Sequence, residues 1–313
     1  MLNILYISAR GVLSEGYMYR YYRGLYKELC KISNVKAYEG IVDAKDAENF
    51  DCIIFDLGYF AQKDPKVFQE IPGLKELKIP KIAYFHKPQT MLQEKLDFCK
   101  INNFDLFVDS QITYTNHGNI ANCDSIRLPF VASEKYFYPR NVEKIYDVGF
   151  SGAHHGMGKV QGETRDIRDK AYNLIREKNY ELYWNSHKSP ANRTHSIDEY
   201  ATKINQSTIW FATTGPTLDI SPRYFEVALS KTLLFCCNNM PYEYEGMFVD
   251  GENCIIFEND LSNLTDKIDY YLENHDERNR IISNAYDFAK ENYTWMAMAK
   301  RLVSKIEEIK DEL

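Results

Sequence analysis

No stretch of about 18 uninterrupted apolar residues occurs in the 313-residue chain, so it carries no conventional transmembrane helix. It has no Cys-x-x-Cys pair. The seven cysteines (Cys30, Cys52, Cys99, Cys123, Cys236, Cys237 and Cys254) are odd in number, and several sit inside apolar strand patterns. Disulfide frameworks belong to small secreted chains, so these read as reduced thiols of a cytoplasmic protein. Positive charge is not in excess: 38 Lys and Arg against 45 Asp and Glu leave a net charge of −7. A whole-surface nucleic-acid binder shows a basic footprint, so nucleic acid is disfavoured as a partner. There is no Gly- or Ser-rich linker, short repeat or low-complexity tract. The first eight residues lack a basic segment and a small-residue cleavage site. They read as a strand rather than a signal peptide. The apolar fraction of 44% and charged fraction of 27% are ordinary for a folded globular chain.

At roughly 100–200 residues per domain, the length predicts two domains. Short apolar, β-branched segments at 2–8, 52–56, 81–85, 106–109 and 125–128 alternate with helical patterns. Buried parallel strands have this composition. Between the first two, Ser14 is placed to cap a helix with Met18, Tyr21, Tyr22, Leu25 and Leu29 along one face. The rhythm restarts at 146–150 and continues at 180–184, 208–212, 232–236 and 254–257. The stretch 128–144, with two prolines, reads as the connection between two Rossmann-like halves. Three helical patterns close the chain. Asp276 is placed to cap the second and Thr294 the third. Ligands of open α/β sheets bind at the carboxyl ends of the strands, so candidate site residues are those just beyond strands.

Ser221-Pro222-Arg223-Tyr224-Phe225-Glu226 precedes the predicted strand at 232–236. Ser221 is placed to cap a helix with Pro222 in its first turn. Arg223 then falls where the helix dipole disfavours a cation, unless an anion is bound there. Glu226, three residues on, is suited to accept from vicinal sugar hydroxyls. The other open reading is an exposed Arg–Glu pair at i, i+3.

A second stretch, Phe150-Ser151-Gly152, follows the strand at 146–150 and leads through a glycine-rich loop into a helix with Arg165 and Arg168. Small residues let backbone amides approach phosphates, and the arginines add charge. A surface loop is the competing reading, since the pattern is neither a Walker A loop nor a Gly-x-Gly-x-x-Gly fingerprint. His154 and His155 are adjacent and lack a third ligand at metal spacing. With no Asp-x-Asp motif either, no metal site is expected.

In the first half, His86 and Lys87 follow the predicted strand at 81–85, and Gly11 follows the first strand. His86 reads either as a catalytic residue facing an acceptor or as a loop histidine satisfied by backbone. Lys87 and Gly11 read as acceptor-side residues, or as ordinary turn residues. Trp184 lies where a base often stacks, though a core tryptophan is the simpler reading.

The stretch 221–235, the segment Gly246-Met-Phe-Val-Asp-Gly251-Glu-Asn-Cys-Ile-Ile-Phe257 and the helix ending Tyr-Tyr-Leu-Glu-Asn-His-Asp-Glu-Arg278 resemble CgeB-type, spore-protein-like glycosyltransferases. These belong to the GT-B group, near the family 4 retaining enzymes. The resemblance runs over about residues 145–300. It implies an α/β protein with two Rossmann-like domains facing across a cleft, and a terminal helix returning toward the first. The expected bounds are 1–140 for the acceptor domain, 141–292 for the donor domain and 293–313 for the helix. It implies transfer of a sugar from a nucleotide-diphosphate sugar to a glycan or other acceptor hydroxyl, with retention and without metal or other cofactor. The scaffold also suits a nucleotide-sugar epimerase or hydrolase, or a binding protein without turnover. By the resemblance Glu226 binds the donor ribose and Arg223 faces the diphosphate, with Ser151, Gly152, Arg165 and Ser221 beside them. Family 4 enzymes often carry a Glu-x7-Glu pair. Here Leu218 stands at the first position, so Asp219 beside it is the candidate first acid.

Overall fold

The computed structural model describes residues 1–9, 13, 19–40, 44–86, 90–110, 117–153, 162–187, 196–214, 220–238 and 247–313; for 19–22, 117, 153, 162–166 and 187 it describes the backbone only. The chain divides into two compact units, Met1–Phe130 with Trp295–Leu313, and Val131–Thr294.

In the first unit, strands β1 (Asn3–Ser8), β2 (Asn34–Glu39), β3 (Cys52–Phe55), β4 (Lys81–Phe85), β5 (Leu106–Asp109) and β6 (Asp124–Arg127) form one sheet in the order β2-β1-β3-β4-β5-β6. Every pairing is parallel; Ile4 lies opposite Cys52 and Ile82 opposite Leu106. Strands β3, β4 and β5 are buried along their whole length. That burial is why they read as unbroken apolar runs. The edge strand β2 was not expected from the sequence: it alternates half-buried and exposed residues (Asn-Val-Lys-Ala-Tyr-Glu), with too little apolar content to stand out. One face of the sheet packs on a phenylalanine-rich core including Phe55, Phe60, Phe68, Phe98 and Phe107.

Helix α1 (Tyr19–Ile32) packs against the C-terminal helix α10 (Trp295–Glu312), so α10 is part of this unit. A Cβ on Gly24 would lie 2.2 Å from the Trp295 indole nitrogen, so only glycine lets the helices approach this closely. Lys305 pairs with Asp124 at 3.0 Å and fastens the far end of α10 to the sheet.

The second unit contains β7 (Tyr146–Ala153), β8 (Leu182–His187), β9 (Ser207–Ala212), β10 (Leu233–Cys237) and β11 (Ile255–Phe257), again all parallel, in the order β11-β10-β9-β7-β8. Read from β8, this is the doubly wound order 2-1-3-4-5, with its topological switch point between β7 and β9. Helices α5 (Gly162–Arg176), α6 (Ile197–Asn205), α7 (Arg223–Leu229), α8 (Leu264–Glu273) and α9 (His275–Asn292) complete the unit.

The first unit ends at Phe130, ahead of the boundary expected near 140, because residues 131–140 are tied to α6. Arg140 donates to Thr202 and Asp198 at 2.8 Å, and the Asn205 amide donates to the Tyr138 carbonyl at 3.2 Å. Helix α9 starts two residues earlier than expected: Asn274 stands at its N-cap and Asp276 lies in its first turn.

At the switch point of the first sheet, between β1 and β3, the fully buried Asp56 follows β3. It accepts from Ser8 Oγ at 2.7 Å and from the Tyr59 amide at 2.8 Å, with further bonds from Tyr6 and the Gly58 amide. Burial nevertheless outweighs these donors and pushes its carboxyl up to about 7. A folded pKa above the unfolded one means that this group's stabilisation is complete below about pH 4 and is lost as pH rises through about 7. The melting temperature of wild type minus that of Asp56→Asn should therefore fall between pH 4 and pH 8, by the equivalent of roughly 3–5 kcal/mol. A difference that stays flat over that range would refute the assignment.

Candidate functional site

The sequence-predicted residues that converge lie in the second unit, at the carboxyl ends of β7 and β9. Strand β7 runs on to Ala153 instead of ending at Phe150, because β8 continues beside it: Ser151 pairs with Asn185 and Gly152 with Ser186. Ser151 and Gly152 are thus the last rungs of a strand, not a turn after it. Gly152 is buried, and a Cβ there would lie 2.9 Å from Phe150 Cζ and 3.4 Å from an Arg223 guanidinium nitrogen. The added carbon would crowd the Phe150 ring, against which both Arg168 and Arg223 lie.

Helix α7 begins at Arg223. Pro222 already has helical dihedrals (φ −50°, ψ −23°) and stands at the N-cap position, with no side-chain cap. Ser221 therefore does not cap the helix with its hydroxyl, as had been expected. Its carbonyl accepts from the Tyr224 amide at 3.2 Å, while its Oγ is buried without a hydrogen-bond partner.

Glu226 is 3% exposed, which removes the surface-pair reading. Its Oε2 accepts from the Tyr200 hydroxyl at 2.8 Å, and the same hydroxyl oxygen is hydrogen-bonded by Arg223. Burial, then the Glu226 charge, pushes the Tyr200 phenol well above its ordinary value, so the proton stays on tyrosine.

Arg168 was noted only as added charge beside Arg165, and the structure gives it a defined place. From α5 its Nε donates to Thr213 Oγ1 at 2.8 Å, just past the end of β9. Its guanidinium lies 5.7 Å from the centre of the Phe150 ring, and that of Arg223 lies 5.9 Å from the same ring. Burial, and then the Arg223 charge, lowers the Arg168 pKa to about 10. Two guanidiniums repelling one another beside a half-buried strand end form a ready site for an anion. Thr213 and Tyr200 carried no sequence signal: a buried threonine after a strand and a helical tyrosine look like core residues.

Trp184 stacks on Phe150 at 4.3 Å and packs on Phe211, half-buried at the edge of the core cluster. The Arg165 side chain, Asp219, Gly11 and Lys87 lie outside what the structure describes.

His86 belongs to the first unit, directly after β4, and is 6% exposed. Ser110 Oγ donates to the Phe85 carbonyl at 2.6 Å and lies 3.4 Å from His86 Nδ1. Among the described residues no group of three His, Cys, Asp or Glu is placed to hold a metal ion, and no helix is long and apolar enough to cross a membrane.

Two parallel Rossmann-like sheets define a doubly wound α/β protein. Comparisons narrow this. Residues 161–304 match the model of a family described as glycosyl transferase-like. The fold is similar to sucrose-phosphate synthase from Thermosynechococcus elongatus, with TM-score 0.65 and 10% identity over 100% of both chains. It is also similar to the HepE protein of Anabaena in complex with UDP-glucose, with TM-score 0.57 and 10% identity over 98% of this chain and 100% of that one. An alpha-glucosyltransferase in complex with UDP and a 13-mer DNA gives TM-score 0.61 and 12% identity over 98% and 100%. No curated protein sequence matches significantly. The chain has the GT-B glycosyltransferase fold, and its 161–304 stretch is glycosyltransferase-like in sequence.

Gly152→Ala should weaken binding of inorganic pyrophosphate by about tenfold, because the added methyl meets Phe150 and Arg223. Calorimetric titration checks this, and an unchanged dissociation constant would separate Gly152 from the anion site.

Proposed function

We propose that the chain is a retaining, metal-independent glycosyltransferase that moves a sugar from a nucleotide-diphosphate sugar to an acceptor hydroxyl. The observation that carries this reading is the convergence of Arg168 and Arg223 on Phe150 beside Gly152, with buried Glu226 behind them. The glycosyltransferase-like match over 161–304 and the likeness to a UDP-glucose complex support a nucleotide-sugar donor.

In this mechanism the bond between the anomeric carbon and the diphosphate oxygen breaks while the acceptor oxygen bonds that carbon from the same face. The acceptor proton passes to the departing phosphate oxygen. The protein's part is electrostatic: Arg223 and Arg168 oppose the charge that grows on the leaving group. Glu226 accepts from the donor ribose, and Ser151, Ser221 and Asp219 are assigned to the same donor side. His86, with Lys87 and Gly11, is assigned to the acceptor side. The leaving diphosphate is neutralised by guanidiniums, so no metal or other cofactor takes part. The reduced-thiol composition favours a cytoplasmic location.

The acceptor is a glycan or another hydroxyl-bearing molecule. The net charge of −7 argues against a nucleic-acid acceptor, so a gel shift with duplex DNA at low salt should show no retarded band. A salt-sensitive shift would move the acceptor to nucleic acid.

Glu226→Gln should weaken UDP binding by about tenfold, since a charge-assisted bond is worth roughly 1.5–3 kcal/mol. Arg223→Ala should instead lower the turnover rate more than the affinity, because it acts on charge that develops as the bond breaks. Titration and donor turnover by the two variants separate these effects; equal constants for wild type and Glu226→Gln would remove Glu226 from the site.

Activity should also persist in EDTA, and proton NMR of the first product should show the donor's anomeric configuration. Loss of activity in EDTA, restored by Mn²⁺ or Mg²⁺, would refute metal independence, and an inverted product would refute retention.

A further inference from the structure

We propose that Tyr200 is a positioning residue of this site, its hydroxyl tying Glu226 to Arg223 and fixing both for the nucleotide diphosphate. The inference rests on the donor reading above and adds a residue to it from an element without a recognisable motif.

Tyr200 projects from α6, whose start is fixed by a full capping box: Ser196 Oγ accepts from the Glu199 amide at 3.2 Å, and Glu199 Oε2 accepts from the Ser196 amide at 2.7 Å. The tyrosine ring lies 5.9 Å from Trp210 and 5.9 Å from Phe137, both buried, so its rotamer is set by packing and its hydroxyl has one place to be. There the hydroxyl donates to Glu226 Oε2 at 2.8 Å and accepts from Arg223.

A phenol has one hydrogen, and here it is spent on the carboxylate, so its oxygen is left to receive the guanidinium. The two charged groups lie three residues apart on α7, and the neutral hydroxyl between them sets where each can rest. With Oε2 held, the carboxylate cannot rotate freely, and a ribose hydroxyl would meet a fixed acceptor. With one N–H of Arg223 turned to Tyr200, the remaining face of the guanidinium is held in register with Gly152 and Arg168. Removing the hydroxyl takes one hydrogen bond from each group at once. A purely structural hydroxyl would behave otherwise: its loss would lower the melting temperature and leave the affinity of the folded protein untouched.

The test is calorimetric titration of UDP into wild type, Tyr200→Phe, Glu226→Gln and the double variant, with melting temperatures recorded for each. The phenylalanine keeps the ring packing and deletes only the oxygen. The proposal expects wild type to bind UDP, Tyr200→Phe to bind about tenfold more weakly, and the double variant to bind no more weakly than the weaker single variant. Incorporation of 3-fluorotyrosine at position 200, which keeps the hydroxyl as a stronger donor, should shift the UDP dissociation constant measurably but by less than the roughly tenfold of Tyr200→Phe. Wild-type affinity in folded Tyr200→Phe would overturn the proposal, as would losses that multiply in the double variant. Should Tyr200→Phe fail to fold, the fluorotyrosine protein still decides: its stronger donor should change the UDP dissociation constant measurably, and an identical constant overturns the proposal. Failure of wild type to bind UDP is seen in the first titration and would overturn the donor reading itself.

Discussion

Two guanidinium groups held beside one phenylalanine ring are the constraint on which this site depends. Arg168 and Arg223 approach closely enough for each to destabilise the charge of the other, and both are partly withdrawn from water. Such an arrangement costs free energy in the empty protein. It persists because each cation is fixed by a neutral oxygen from a different element: Thr213 past β9 holds Arg168, and Tyr200 of α6 holds Arg223. Asp169 beside Arg168 and the buried Glu226, joined to Arg223 through Tyr200, supply balancing charge. An anion bound between them would relieve the repulsion.

The sheet order explains why these residues can meet. At a switch point the helices after the two flanking strands diverge, and the strand ends between them stay uncovered. Arg168 sits on the helix that follows β7, and Arg223 on the helix that precedes β10 and follows β9. The strands themselves are spent on the core: Val148, Phe150, Ile209 and Phe211 join one apolar cluster. Chemistry is therefore confined to the last residues of each strand, where Gly152 substitutes closeness for a side chain.

The strands of both sheets were legible because burial on two faces leaves a compositional trace that needs no partner to be seen. Strand β2 was not, since an edge strand with Lys36 and Glu39 at exposed or half-exposed positions carries only a weak alternation. At the site, Arg223 and Glu226 announced themselves by position: a cation in a first turn and an acid three residues on. The burial of Glu226 and the hydroxyl that holds it could not be read, because Tyr200 lies 26 residues away in sequence and in another helix. The capping role given to Ser221 failed for a local reason, the helical dihedrals of Pro222, which moved the N-cap by one residue.

The two units use the same topological opening in opposite ways. In the first sheet the switch point between β1 and β3 is filled from within: Asp56 is fully buried, and Ser8, Tyr6 and two backbone amides converge on its carboxyl. The acceptor capacity of that carboxyl is already taken up by these donors. In the second sheet the equivalent point between β7 and β9 carries two cations and a glycine. Topology alone would let either unit bind a nucleotide. Side-chain charge differs at the two openings: a buried acid at the first, two guanidiniums at the second.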